Sequence, residues 1–510
     1  MIRGDATNTA ITGPALASSV TSNLHQAAVG EPASELRRPA GPALLRALGT
    51  WDVSLITIGM IVGSAIFIAA SIVPREMPQP AILIGLWCVG GLLSLAGVVT
   101  YSELGTMFPE AGGQYHFLKE AYGPLYGFLF GWTSFLVIQS GAIAYLAVAS
   151  ADCLGAFLPF FRSSHEVAAI PLGITTLPVA GSQIGAAIAI IFLSAVNYAG
   201  LREGSLFQNA ITIIKVVALV ALVGFGLAAR PAVETPWHAA LPEPGFVRGL
   251  GVAMIGVLWC YDGWYQATFC AGEIRDPRRS LPRGMLIGTI VTAALYVLVN
   301  LVYLRALPMI ELGRSPGIGE AAAGALFGPR FAALVTLAVF ISVFGCLSSN
   351  VLTAARIYLP MAQDGLFFRS LARIHPVHRT PTACIVAQGA WAIVLAFSGS
   401  YEQLGTYVIF AMFLFHTATG AALFVLRRTR PDRPRVYRAW GYPWTPVVFI
   451  LTSLAFVINT LIVRPIESLW GLLLMALGLP AYLWWRGTSG TRRRTEAPGK
   501  CIQPSRVSTE

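Results

Sequence analysis

The sequence predicts an all-α integral membrane protein of twelve transmembrane helices, ten of them in a five-plus-five inverted repeat whose leading helices, 1 and 6, are broken. Three observations carry this expectation. The chain has 510 residues, 55% hydrophobic and only 12% charged, where a soluble protein carries about 25% charged residues. Apolar stretches of the ~20 residues needed to cross a bilayer recur along its length. Two of them, five apart, are interrupted near their middles by residues that resist burial in lipid.

Residues 1–45 are polar, rich in small residues and punctuated by Pro32, Pro39 and Pro42, and are expected to form a disordered cytoplasmic tail. No short apolar core follows a basic start, so no cleaved signal peptide is expected. Arg37-Arg38 does not make a twin-arginine signal. The spans follow at 51–74, 80–102, 122–150, 179–199, 206–229, 246–270, 284–307, 329–362, 381–399, 403–426, 443–463 and 467–486. Spans 1–10 form a ten-helix core over 46–426, with repeats of about 46–229 and 246–426. Residues 427–486 hold a cytoplasmic loop and spans 11 and 12, and 487–510 a cytoplasmic tail.

The net charge of +11 is distributed as a membrane protein distributes it. Arg275, Arg278, Arg279 and Arg283 follow span 6, and Arg369, Arg373 and Arg379 follow span 8. Arg427, Arg428, Arg430, Arg433, Arg435 and Arg438 follow span 10, and Arg492, Arg493 and Arg494 follow span 12. The opposite loops hold little beyond Arg75, Arg162, Arg230, Arg314 and Arg464. Basic loops stay in the cytoplasm, which places both termini there. The same placement argues against a nucleic-acid partner. The seven cysteines have no paired spacing, so neither a disulfide framework nor a metal site is expected. No nucleophile–base pair or metal-ligand spacing points to an enzyme, and no cofactor is implied.

Span 6 is the most informative segment. Its apolar run, 246–270, is interrupted by Cys260-Tyr261-Asp262-Gly263-Trp264. A carboxylate at the centre of a bilayer costs roughly 3 kcal/mol or more, and non-helical backbone survives there only against protein or a water-filled cavity. Span 1 carries a matching cluster of small residues, Ile58-Gly59-Met60-Ile61-Val62-Gly63-Ser64-Ala65-Ile66-Phe67. Taken alone, such a cluster also fits close helix–helix packing. Its position five spans before the other break favours paired discontinuous helices around a midplane site.

The ends of half-helices carry partial charges. Free amides near Ser64, Ala65 and Ile66 would suit a carboxylate, and free carbonyls around Trp259 and Cys260 would suit an ammonium. Together they complement an α-amino acid. The candidate binding residues are therefore Met60, Ile61, Gly63, Ser64, Ala65 and Ile66 in span 1, Trp259, Cys260, Tyr261 and Asp262 in span 6, and Ser342 in span 8.

Gly63-Ser64-Ala65-Ile66-Phe67 resembles the glycine-rich span 1 signature of the amino acid–polyamine–organocation superfamily, with Ala65 in place of a usual glycine. Leu258-Trp259-Cys260-Tyr261-Asp262-Gly263-Trp264 and Glu273-Ile274-Arg275-Asp276-Pro277-Arg278-Arg279-Ser280-Leu281-Pro282 resemble span 6 of its L-type amino acid transporter branch. Tyr101-Ser102-Glu103-Leu104-Gly105, Phe108-Pro109-Glu110-Ala111-Gly112-Gly113-Gln114-Tyr115, Met361-Ala362-Gln363-Asp364-Gly365 and Trp440-Gly441-Tyr442-Pro443 extend the likeness over about 45–465. Ala271-Gly272-Glu273 stands where many relatives carry paired acids. The resemblance implies a LeuT-like fold. It also implies that Lys215 in span 5 projects its ammonium where sodium-coupled cousins hold an ion, and that Trp259 is an aromatic lid over substrate. Eukaryotic members join a glycoprotein partner through a cysteine after span 3; residues 160–178 contain none, so no covalent heavy chain is expected.

Each ionisable residue in a span also has a structural reading. Lys215 would otherwise snorkel to an interface. Asp262 either caps the second half of span 6 or handles substrate or protons. Trp259 is a gate or an ordinary core or lipid-facing aromatic. Glu273, Arg275 and Arg279 form a cytoplasmic gate of salt bridges, which Glu103 and Arg356 could join, or a solvated loop. Ser342, Ser348 and Ser349 reach the substrate or bond their own helix.

The function expected is sodium-independent carriage of amino acids across a bacterial inner membrane, by exchange or proton-linked uptake, acting as a monomer or homo-oligomer in the lipid bilayer. An amine or polyamine carrier is the alternative, for which Asp262 is the obvious acid. A sensor or channel on the same fold is the other.

Overall fold

A computed structural model describes residues 43–171, 176–235, 237, 245–398 and 401–495. Most of the two expected tails, with Cys501 and the side chains of the 492–494 arginine run, lie outside the described residues.

Among the described residues, ten helices are long and apolar enough to cross a membrane: Pro80–Met107, Pro124–Leu154, Gly181–Ala199, Leu201–Ala228, Phe246–Glu273, Pro277–Ala306, Pro329–Gln363, Val408–Thr429, Trp444–Val463 and Pro465–Gly487. They occupy ten of the twelve expected segments, spans 2–8 and 10–12. Spans 1 and 9 are represented by shorter apolar helices, Thr50–Ile61 and Thr382–Phe397. A pair of strands was not expected. After span 3 the chain forms an antiparallel hairpin, Glu166–Pro171 against Thr176–Ala180.

Proline begins several of these helices. Pro80, Pro124, Pro277 and Pro329 occupy the first turn, where the missing N–H is one the helix could not have used. Small residues then set how closely helices approach. A Cβ on Gly90 would lie 2.3 Å from Val257 Cγ1 and one on Gly97 2.4 Å from the Trp264 ring, so span 2 is pressed against span 6. The outer faces are apolar and exposed: on span 5, Ile213, Ile214, Val217 and Val220 point outward while Thr212, Lys215 and Leu219 are buried on the opposite stripe.

Both breaks expected in spans 1 and 6 are present. Span 1 is helical over Thr50–Ile61, bends and turns through 62–68, and resumes as Ala69–Ser71 and Ile72–Glu76. Span 6 is an α-helix over Phe246–Cys260, turns at 261–263, and continues as a tighter 3-10 helix over Trp264–Glu273. Gly263 makes the turn with φ at +108°, a left-handed geometry that side chains with a Cβ resist. A Cβ there would also sit 3.0 Å from Met60 Cβ and 3.1 Å from the Met60 carbonyl. The two breaks therefore touch, backbone to backbone.

Candidate functional site

Between the breaks lies a cavity of about 180 Å³, far above the ~10–15 Å³ that one water requires. Met60, Ile61, Gly63, Ser64 and Ala65 line it from span 1, and Trp259 and Asp262 from span 6. The structure does not bring the other four binding candidates to its wall. Ile66 is buried beneath it, its carbonyl 3.3 Å from the Tyr303 hydroxyl. Cys260 is buried behind Trp259 in the helix. Tyr261 turns to span 2, donating to the Trp87 carbonyl at 3.0 Å with its ring against Trp87 and Tyr296. Ser342 reaches neither the cavity nor its own helix: its hydroxyl meets the Val62 and Gly63 carbonyls at 3.1 Å each.

The backbone at the span 1 break has the expected polarity. Among the described residues, no backbone carbonyl accepts from the amides of Ser64, Ala65 or Ile66. The Ser64 carbonyl is already taken, by the amides of Phe67 and Ile68 at 3.0 Å. On span 6 the picture differs from expectation. The Trp259 carbonyl accepts from the Asp262 amide at 3.1 Å and is not free. Nor does Asp262 cap the second half: Gly263 occupies that position, with no side-chain cap bond. The Asp262 carboxylate instead faces the cavity on one side and, at 3.5 Å from Oδ1, His416 Nε2 on the other.

Lys215 does not snorkel. It is 2% exposed, and its Nζ donates to the Gly59 and Val62 carbonyls at 2.7 Å each. These are acceptors that a continuous helix would have satisfied itself. Lys215 from span 5 and Ser342 from span 8 thus hold the broken end of span 1 together.

The residues on the two sides of the span 6 break are unlike. Trp259 is 37% exposed, so the indole is not closed over the site. Fourteen residues on, Glu273 is fully buried and forms a two-pronged ion pair with Arg356 of span 8, at 2.9 and 3.2 Å. The Glu273 carbonyl also takes the amides of Ala47 and Leu48, tying the end of span 6 to the chain ahead of span 1. Among the described residues, Arg275 and Arg279, expected with Glu273 in a gate, form no ion pair with it. Arg275 and Arg279 are exposed, and Arg279 lies 3.9 Å from Asp276. Their chain neighbour Glu273 points inward, where burial demands a dedicated cation. Glu103 does not join this pair. It takes both Nε and Nη2 of Arg427 and the amide of Ala439.

Several lining residues were not anticipated: Gln139 and Tyr145 of span 3, Tyr265 and Gln266 of span 6, Asn350 of span 8 and Met412 of span 10. Span 3 carries a π-helical turn over Ser134–Ile138 immediately before Gln139, a distortion that rotates the following side chains and often marks functional sites. Gln139 and His416 had a legible signal, a polar side chain inside an apolar run; the π turn had none.

The sequence profile of a family described as amino acid permease matches residues 48–478. The chain is similar to the serine/threonine exchanger of Bacillus subtilis (strain 168), 28% identical over 86% of this chain and 96% of the exchanger. It is similar to the b(0,+)-type amino acid transporter 1 of Rattus norvegicus, 30% identical over 87% of this chain and 88% of that protein. The large neutral amino acids transporter small subunit 2 of Mus musculus is 26% identical over 88% of this chain and 82% of the subunit.

Proposed function

From the premise that the chain belongs to the amino acid permease family, we propose how this amino acid transporter works. It is a multi-pass membrane protein that carries amino acids and not an enzyme. The substrate lies in the cavity between the broken spans, its α-carboxylate on the amides of Ser64, Ala65 and Ile66. The observation that supports this reading is that, among the described residues, no backbone carbonyl accepts from those three amides, and that Ser64 and Ala65 line the cavity. Oriented N–H groups at a helix break are suited to an anion. With the Trp259 carbonyl engaged, the ammonium is received by the remaining acceptors of the span 6 break, Asp262 among them.

Twelve spans in inverted repeat fit this site, with the interrupted 50–76 segment as the first and Thr382–Phe397 as a short ninth. Rocking of one half against the other would then expose the cavity alternately. Lys215 occupies the place of a coupling cation, which makes transport sodium-independent. Exchange is favoured by the exchanger among the relatives. The arginine-rich ends of spans 6, 8 and 10 put the termini in the cytoplasm of a bacterial inner membrane. The chain acts alone or as a homo-oligomer: residues 160–178 offer no cysteine for a covalent partner.

The test is competition for uptake in proteoliposomes. Free amino acids should compete, whereas their methyl esters and decarboxylated amines should not. Equal competition by the amines would remove the carboxylate site and favour an amine carrier.

A further inference from the structure

Spans 10 and 11 are joined by residues 430–443, and a loop between two spans lies at a membrane face whichever way the protein is inserted. Beside this loop is another cavity, of about 190 Å³, lined by Arg427, Pro431, Arg435 and Arg438. It shares no residue with the cavity between the breaks, and it is far larger than the ~10–15 Å³ that one water requires. Guanidiniums gathered at one wall repel one another, so the first question is what balances them.

The protein supplies only part of the balance. Glu103 of span 2 is fully buried; its carboxylate accepts from Arg427 Nε at 2.9 Å and Nη2 at 2.6 Å, and Arg435 Nε lies 3.6 Å from it. The neighbouring acids are engaged elsewhere, Glu120 with Arg430 at 3.3 Å and Glu110 with Arg433 at 3.9 Å. Asp432 is exposed and does not line the cavity. Three cations thus share one carboxylate, which leaves an excess of two positive charges. The donors are left over in the same way. Arg435 gives its Nη1 and Nη2 to the carbonyls of Leu426, Arg430, Pro431 and Arg433, which folds the loop around it. Arg427 keeps Nη1. Arg438 is exposed and, among the described residues, makes no ion pair or side-chain hydrogen bond. A guanidinium is a planar fork of N–H donors that matches two oxygens on one phosphorus. The loop is also aromatic: Arg427 stacks 3.6 Å from the centre of the Tyr442 ring, and Trp440, Tyr442 and Trp444 are exposed. Exposed tryptophan and tyrosine settle at the membrane–water boundary, the level of the lipid headgroups.

We propose that this cavity is a binding site for a phosphate group at the membrane face, separate from the substrate cavity. Arg427 and Arg438 take the phosphate oxygens, and Arg435 adds charge and fixes the loop. The headgroup of an anionic phospholipid and free inorganic phosphate offer this same chemistry, and the aromatic loop brings the lipid's phosphate within reach. Basic pockets between membrane helices are suited to such headgroups. A ligand held here ties the end of span 10 to the loop and, through Glu103, to span 2. The occupied protein should therefore resist unfolding more than the empty one.

The thermal midpoint of the full chain in a neutral detergent provides the test, with two probes. Inorganic phosphate replaces chloride at constant ionic strength, and phosphatidylglycerol replaces phosphatidylcholine in the mixed micelles. At least one probe should raise the midpoint saturably. Protection by phosphatidylglycerol alone identifies a lipid site, and protection by inorganic phosphate identifies one that solution phosphate can enter. Arg427 is unsuited to substitution, because its loss strands the buried Glu103. Arg438→Gln removes an exposed side chain, so it should leave the midpoint without probe unchanged. It should weaken the apparent affinity for the probe by about tenfold, the loss of one charge-assisted contact. Arg428→Gln removes the same charge from a neighbouring exposed position outside the cavity lining, and should leave that affinity unchanged. A midpoint that neither probe moves, equal protection of Arg438→Gln, or an equal loss in Arg428→Gln, the mark of a diffuse positive field, would each overturn the proposal.

Discussion

Among the described residues no carboxylate pairs with the buried ammonium of Lys215; what it has are two carbonyls at 2.7 Å, both from the end of a helix that stops at Ile61. Hydrogen bonds from a charged donor contribute about 1.5–3 kcal/mol each, enough to hold a backbone shape that a helix would not choose. A cation supplied by the chain leaves no need for one from solution. Replacing external sodium by choline at constant pH should therefore leave the initial uptake rate unchanged, and a steep sodium dependence would disprove the substitution. Lys215→Met keeps the apolar stem and removes a charge that is costly to bury, so the protein should still fold. Uptake per folded molecule should fall by about tenfold or more, the factor that ~1.4 kcal/mol represents. Full activity in that variant would mean Ser342 alone suffices to hold the break. The lysine was legible as a charge in an apolar run; its acceptors were not, since they lie 153 and 156 residues away in sequence.

At the scale of the element, spans 1 and 6 were readable because Gly63-Ser64 and Asp262-Gly263 interrupt hydropathy in matching places. Which side chains face the cavity was not readable. Beyond Gly263 the chain winds as a 3-10 helix, with three residues per turn in place of 3.6. That winding brings Tyr265 and Gln266 to the cavity wall, while Tyr261, ahead of the turn, packs against span 2. The hinge itself supports a graded prediction. Trp259→Ala removes an indole that stands 37% exposed beside the cavity, so it should weaken substrate affinity or slow turnover while leaving the fold intact. Gly263→Val should be more damaging. It forces a β-branched residue into φ +108° and a Cβ to within 3.0 Å of Met60, a strain on the order of 1–3 kcal/mol before any clash is relieved. Uptake by both variants, normalised to folded protein recovered from the membrane, orders them. Near-normal transport by both would reduce the interruption to a packing feature and remove span 6 from the site.

For the whole molecule, the asymmetry between the two sides of the span 6 break is the property to explain. Trp259 beside the cavity is 37% exposed, while Glu273 and Arg356, beyond its lining, are wholly buried. The pair joins segments 83 residues apart, which is why sequence proximity pointed to Arg275 and Arg279 instead. A buried pair contributes little net stability over apolar replacements, but removing one partner strands a charge and costs about 3–5 kcal/mol. In the proposed cycle, an opening transition at that end would break or move the same pair. Glu273→Gln and Arg356→Gln should therefore each lower the thermal midpoint in detergent. The double variant should recover part of that loss because no charge is left orphaned. Neither restored stability nor a neutral pair rebuilds a latch, so transport should remain impaired in all three variants. A double-mutant cycle on thermal stability separates this from independent damage. Strict additivity of the two single effects would show that the residues do not act as a pair, and full transport in the double variant would show that transport does not depend on the pair.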